Sequence, residues 1–239
     1  GSYRTMLAAR YKAGLDEQGM PLSLQSETCF SGMELSLGYT DMAYAAAGAI
    51  PNVRIATSKL PLHIATGAYR APCYNSHAFT VETFIDECAV AAGIDPLQYR
   101  LRLLANWDPA WSDCLRIAAE KAHWGQALPP GQGRGIAISN WPHSGSKQAG
   151  STVCAVARVE VTPAGKLIVH QIDFTFDCGR VVNQDAVLSQ LQGGIIFGLN
   201  MALNEGLTVS DGAIVEANFD SLPLLKMGDM PEINIHFDA

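Results

Sequence analysis

The residue types best suited to chemistry gather first at 66–72, where Arg70 stands among small residues in the string Thr66-Gly-Ala-Tyr-Arg-Ala-Pro72. The stretch follows a predicted strand and precedes a predicted helix. Such a loop can offer backbone N–H groups and a guanidinium to an anionic or oxo ligand. On its own it reads just as well as an ordinary surface loop. A second candidate is Gln190-Leu-Gln-Gly-Gly194, with Gly198 one turn further on, inside a predicted long helix. Each glycine there costs about 1 kcal/mol relative to alanine. Three of them imply that a backbone or a ligand comes close to that face, and tight helix–sheet packing would ask for the same residues.

Other candidates are weaker. Glu82, Asp86 and Glu87 supply carboxylates for acid–base work, but most of the cluster falls opposite the apolar positions and reads as a solvated helix face. The glycines at 131, 133 and 135 suggest a dinucleotide loop, which needs a strand before it and a helix at the glycines. Here Pro129 and Pro130 precede them and the strand-like 136–138 follows, so the stretch reads as a linker. The six cysteines (29, 73, 88, 114, 154, 178) include no C-x-x-C pair, and the six histidines lack zinc-ligand spacing, so no metal ligands are assigned. A chain this long does not need a disulfide framework.

The elements that position these residues follow from periodicity. Residues 3–66 are strand-rich: 7–15, a polar turn at 16–19 and the alternating Leu22, Leu24 and Ser26 form a hairpin, with a short strand at 53–56. Helices fill 67–128 after the loop. Phe79, Phe84, Ile85, Cys88, Ala89 and Ala92 fall on one apolar face, and Gly93 ends that helix. Asp95, Pro96 and Gln98 then cap a second helix carrying Leu97, Leu101 and Leu104. A third is predicted over 113–124. Residues 134–239 contain a hairpin (153–161 and 167–176), a long helix from Asn183 with Val187, Leu188, Leu191, Ile195 and Leu199 inward, and a short hairpin around 210–212. The fold class is α+β.

Composition sets the outer limits. Apolar residues make up 48%, enough for a sizeable core. Lys and Arg total 16 against 23 Asp and Glu, a net charge of −7 with the cations scattered, so nucleic acid is an unsuitable partner. No uninterrupted run of about 18 apolar residues is present, and no direct membrane insertion is expected. Charged residues are only 16%, against roughly 25% in typical soluble domains. That deficit suggests surface normally covered by more protein.

In order and together, these pieces resemble one family. Gly67-Ala-Tyr-Arg-Ala-Pro72, then Phe79-x-x-Glu82-x-x-x-Asp86-Glu87, Gly93-x-Asp95-Pro96-x-x-x-Arg100-x-x-Leu103, Asp177-Cys-Gly-Arg-Val-Val-Asn183, and Gln190-x-x-Gly-Gly resemble the molybdopterin-binding large subunit of the xanthine dehydrogenase and aldehyde oxidase family. The likeness is closer to the beta subunits of isoquinoline 1-oxidoreductase and to bacterial aldehyde dehydrogenases. Gln192 and Gln184 depart from the Glu and Pro usual at those positions.

The resemblance implies a molybdenum–molybdopterin cytosine dinucleotide cofactor, and oxidation of an aldehyde or N-heterocycle with oxygen drawn from water. Electrons would leave through a 2Fe–2S partner subunit, with a cytochrome c subunit in some parents, and such large subunits are often exported. By position, Ala68, Tyr69, Arg70 and Ala71 match the loop at the metal centre and substrate, with Arg70 and Tyr69 in catalytic positions. Gln190, Gly193 and Gly194 match the pterin-contacting helix. The family's catalytic Glu, in a Gly-x-Gly-Glu loop, has no counterpart here, nor has the upstream Gly-Gly-x-Phe-Gly loop. The chain is therefore expected to be a fragment of the parent oxidoreductase, binding little cofactor and inactive alone. The alternative is a cofactor-free assembly or ligand-binding module of the same ancestry.

Overall fold

The computed structural model describes residues 3–31, 44, 49–72, 74–142, 150–216, 218 and 220–237. Cys73 and His143 lie outside them.

Strand β1 (Leu7–Leu15) pairs antiparallel with β2 (Pro21–Phe30) as the alternation predicts. The turn is built by Asp16, whose Oδ1 accepts from the backbone N–H of Gln18 (2.9 Å) and Met20 (2.8 Å), and by Gly19 at φ +79°. Strand β3 (Asn52–Lys59) joins β2 in parallel over eight residue pairs, longer than the predicted 53–56. A second sheet has the order β4 (Gln132–Pro142), β5 (Gly150–Val161), β6 (Leu167–Asp177), β9 (Glu232–His236). The β5–β6 hairpin is the predicted one, closed by Thr162 and by Gly165 at φ +76°. Strand β9, parallel to β6, has no counterpart in the sequence reading. The short hairpin β7 (Val209–Ser210) and β8 (Ala213–Ile214) turns at Asp211 and Gly212, as expected.

Gly133 and Gly135 lie within β4, and only Gly131, at φ +85°, serves the turn before it. The dinucleotide reading therefore falls, and most of the supposed linker is strand, paired residue for residue with β5.

Helix α1 (Tyr74–Ala92) ends at Gly93, which takes φ +65° as predicted. Its rotation differs from the prediction. The inner face is His77, Val81, Glu82, Ile85, Cys88 and Ala89, whereas Phe79 is 71% exposed. The reason is a buried ion pair. Glu82, 6% exposed, accepts from Arg100 Nε (2.9 Å), Ile138 N (2.9 Å) and Tyr44 OH (2.6 Å). Arg100, fully buried, also donates to Asp86 (2.6 Å) and to two carbonyl oxygens. Among the predicted solvated carboxylates, only Glu87 is exposed outright. A buried charge is tolerated only when paired and hydrogen-bonded, and here both conditions hold.

Helix α2 (Pro96–Leu103) starts on the Asp95 cap, whose Oδ1 accepts from Gln98 N (3.0 Å). Helix α3 (Pro109–Lys121) begins four residues before the predicted start, because Asp108 and Pro109 repeat the same cap-and-proline signal: Asp108 Oδ1 accepts from Ala110 N (3.0 Å). Leu97, Leu103, Leu104, Trp111, Leu115, Ile136, Ile138, Cys154 and Val156 join α1 in one core. The five described cysteines are free thiols.

Helix α4 (Gln184–Leu203) is capped by Asn183, which accepts from Ala186 N (2.9 Å). The five residues predicted inward are its better-covered side, yet only Leu191 among them is fully buried. It is the one described helix long and apolar enough to cross a bilayer by length and composition. A count of uninterrupted apolar residues passes over it because Gln190, Gln192 and Asn200 interrupt the run.

Candidate functional site

The 66–72 loop is pinned at both ends. At its start a parallel bridge joins Tyr3 to Thr66, and Gly67 N donates to Tyr3 O (2.9 Å). At its end Ala71 takes φ +55°, a left-handed conformation uncommon for a residue with a Cβ. Asn75, in the first turn of α1, brackets that bend: its N–H donates to Ala71 O (3.1 Å) and its Nδ2 to Arg70 O (3.2 Å). Two adjacent carbonyls are thus held, and the side chains between them are aimed outward.

Ala68 and Arg70 are exposed; Tyr69 and Ala71 are half-buried. The Arg70 guanidinium lies over the ring of Phe197 on α4, 5.6 Å from its centroid. A Cβ placed on Gly194 would sit 3.8 Å from Arg70 Nη2. Because residues three and four apart share a helix face, Gln190, Gly194 and Phe197 form one stripe, and Arg70 stands on it. No described carboxylate lies within ion-pair distance of Arg70. An exposed guanidinium without an acidic partner is a ready donor for an anionic or oxo group.

Tyr69 points the other way. Its hydroxyl donates to Glu205 Oε2 (2.7 Å), its ring packs on Phe197 (centroids 5.6 Å apart), and the Arg4 guanidinium lies 5.9 Å above it. Partial burial and the Glu205 carboxylate push its hydroxyl up to about 12. Beside it opens a cleft of about 1150 Å³, walled by Met6, Phe79, Met201 and Leu222, with Arg4 and Glu205 among its polar groups.

The structure therefore brings Tyr69 and Arg70 together with Gly194. Gln190 and Gly193 lie exposed on the same helix, with nothing within 4 Å of a Cβ on Gly193 or Gly198. Packing against a sheet does not account for those two glycines within the described residues. The local sequence motifs missed Phe197, Asn200 and Glu205. Phe197 was reachable, since it falls three residues after Gly194; Glu205 lies beyond the helix end and carries no local signal.

Comparison with known proteins accords with this geometry. Residues 104–231 match the molybdopterin cofactor-binding domain family, a segment that includes α4 and excludes the 66–72 loop. A nicotinate dehydrogenase large chain of Pseudomonas putida is 31% identical over 170 residues, 66% of this chain and 14% of that protein. The beta chain of isoquinoline 1-oxidoreductase from Brevundimonas diminuta is 31% identical over 158 residues, 66% of this chain and 20% of that one. The fold matches the crystal structure of quinoline 2-oxidoreductase from Pseudomonas putida 86 with a TM-score of 0.80 at 12% identity, covering 99% of this chain and 55% of that chain. The chain thus spans a minor part of the curated relatives' length. With more than half of its residues inside the family match and its fold shared with molybdenum hydroxylases, the chain belongs to the molybdopterin cofactor-binding domain family.

Proposed function

We propose that this chain supplies one wall of the cofactor and substrate site of a molybdenum hydroxylase large subunit, whose parent complex oxidises an aldehyde or N-heterocycle. The observation that carries this reading is the meeting of Arg70 with the Gln190, Gly194 and Phe197 stripe of α4, beside open space at Gly193. These residues fit a pterin-borne anionic group. The exposed guanidinium of Arg70 and the N–H groups of Ala68 and Ala71 would donate to it, Gln190 would offer a neutral amide, and Gly193 and Gly194 would leave room for a flat ring. When bound, the molybdenum cofactor supplies the two-electron redox centre through which water-derived oxygen reaches the substrate.

The residues of this chain then have limited tasks. Arg70 binds and orients. Tyr69 and Phe197 close the space behind it and exclude water, which strengthens every charge–dipole contact at the site. Neither Tyr69, whose proton is held by Glu205, nor Arg70 serves as the base; that carboxylate must come from another segment. Electrons would pass to a 2Fe–2S partner subunit, with a cytochrome c subunit as the next acceptor in some parents. The cytosine dinucleotide form of the cofactor is part of the same proposal.

The test measures molybdenum and released cytidine nucleotide per mole of protein from a cofactor-producing host. It compares the chain itself with a hybrid in which the chain replaces the equivalent segment of the Brevundimonas diminuta beta chain. Little molybdenum on the chain, about one equivalent on the hybrid and a large loss on Gly194→Trp are the expected results. A folded hybrid without molybdenum would overturn the reading.

A further inference from the structure

Three residues outside the family-like motifs form a continuous chain of hydrogen bonds that ends on the 66–72 loop. Asn200 is buried in α4, 6% exposed, and its Oδ1 accepts from the backbone N–H of Leu225 (2.8 Å) and from Asn204 Nδ2 (3.2 Å). With its oxygen so engaged, its Nδ2 points at Glu205 and donates to Oε1. The backbone N–H of Glu205 in turn donates to Asn200 O (3.2 Å), which holds the residue just past the helix end. The second carboxylate oxygen, Oε2, accepts from Tyr69 OH. Both oxygens of Glu205 are therefore spent on orientation, and the carboxylate is not free to take a proton from a substrate.

The consequence reaches Arg70 through covalent geometry. Tyr69 is held at three places: its hydroxyl by Glu205, and the two faces of its ring by Phe197 and Arg4. Arg4 is itself tied to α4 by a contact from Nη1 to Met201 Sδ (3.3 Å). Arg70 follows immediately, and its carbonyl is fixed by Asn75. With the residue before it and the carbonyl after it both held, its guanidinium is confined above Phe197.

We infer that Glu205 is a positioning residue: aimed by Asn200, its carboxylate holds the Tyr69 hydroxyl and so keeps Arg70 presented to the ligand-binding face of α4. This rests on the proposed function for what Arg70 is presented to, but the latch itself is a property of the chain. A hydrogen bond to a charged acceptor is roughly twice as strong as one between neutral groups, so the latch should weaken in steps as the acceptor is first neutralised and then removed.

Limited trypsinolysis of the 239-residue chain reads the latch directly, because Arg70 is exposed and its bond to Ala71 is cut only when the loop opens. Arg158, in the central strand β5, reports global opening in the same digest. Cleavage after Arg70 should rise about tenfold in Tyr69→Phe and in Glu205→Ala, and about threefold in Glu205→Gln, with cleavage after Arg158 unchanged. The Tyr69→Phe, Glu205→Ala double variant should be cut no faster than either single variant, since both remove one contact. Equal rates at Arg70 in all variants would overturn the inference. So would a parallel rise at Arg158, or a double variant showing the product of the two single effects. No cofactor enters this experiment. A latch that fails while the hybrid holds molybdenum sinks only this inference; a latch that holds while the hybrid lacks molybdenum sinks only the proposed function.

Discussion

Arg100 shows how much one residue can decide. Its guanidinium is fully buried and is satisfied by Glu82, Asp86 and two carbonyls, so α1 and α2 are joined by charge at their contact, and Glu82 reaches on to β4 through Ile138 N. Replacing it by alanine leaves Glu82 buried without its cation, which typically costs about 3–5 kcal/mol. Urea unfolding of Arg100→Ala against the parent chain measures this, and a loss under 1 kcal/mol would contradict the assignment. Tyr69 offers a pH-dependent counterpart. Its folded value of about 12 lies above the ordinary 10.0, so the folded state keeps the proton longer. The stability it contributes is therefore fully present below pH 10 and is lost as pH rises through about 12. At pH 11 the tyrosinate absorbance of the folded chain should scarcely change on Tyr69→Phe, while that of the unfolded chain falls by one residue. The thiols divide in the same way. Burial pushes Cys88 up to about 11 and Cys114 to about 12, and Cys154 higher still. With a thiol reagent at pH 8, peptide mapping should find Cys29 and Cys178 modified first, and those three only on unfolding.

Among the elements, the β1–β2 hairpin and α4 teach opposite lessons. The hairpin turn is docked against the helices: a Cβ on Gly19 would lie 2.4 Å from Ala92 Cβ, and Tyr99 OH donates to Gly19 O (3.1 Å). Gly19→Ala combines a strained φ with overpacking and should cost about 1–3 kcal/mol, read as a lower unfolding midpoint without a change in slope. Helix α4 has glycines with nothing against them, and Gly193→Ala should leave stability within about 1 kcal/mol of the parent or raise it. A large loss there would show that the glycine serves the fold and not a ligand. The sequence placed β1, β2, the β5–β6 hairpin and the α4 cap correctly, because each carries its signal within a dozen residues. Strand β9 escaped: five residues pairing with β6 some sixty positions earlier leave no local mark.

For the whole molecule, the distribution of apolar surface matters most. The core formed by α1, α2, α3, β4 and β5 is closed, but Ile196, Phe197, Leu224 and Met227, the last 92% exposed, remain in solvent around α4. Contiguous apolar surface of this kind belongs to interfaces and ligand grooves. Light scattering of the purified chain should show association that grows with concentration. A clean monomer across a hundredfold range would contradict this.

Local grammar in the sequence was enough for the family, the fold class, the caps and turns, and the loop at 66–72, because a helix cap or a hairpin turn is decided by neighbours a few residues away. The rotation of α1 was decided by tertiary structure, since a carboxylate at position 82 turns inward only when an arginine eighteen residues later meets it. The candidate site needed tertiary structure as well. Arg70, Phe197 and Glu205 span 135 residues of chain and converge because the pinned loop meets α4, whose end sets Glu205 beneath Tyr69.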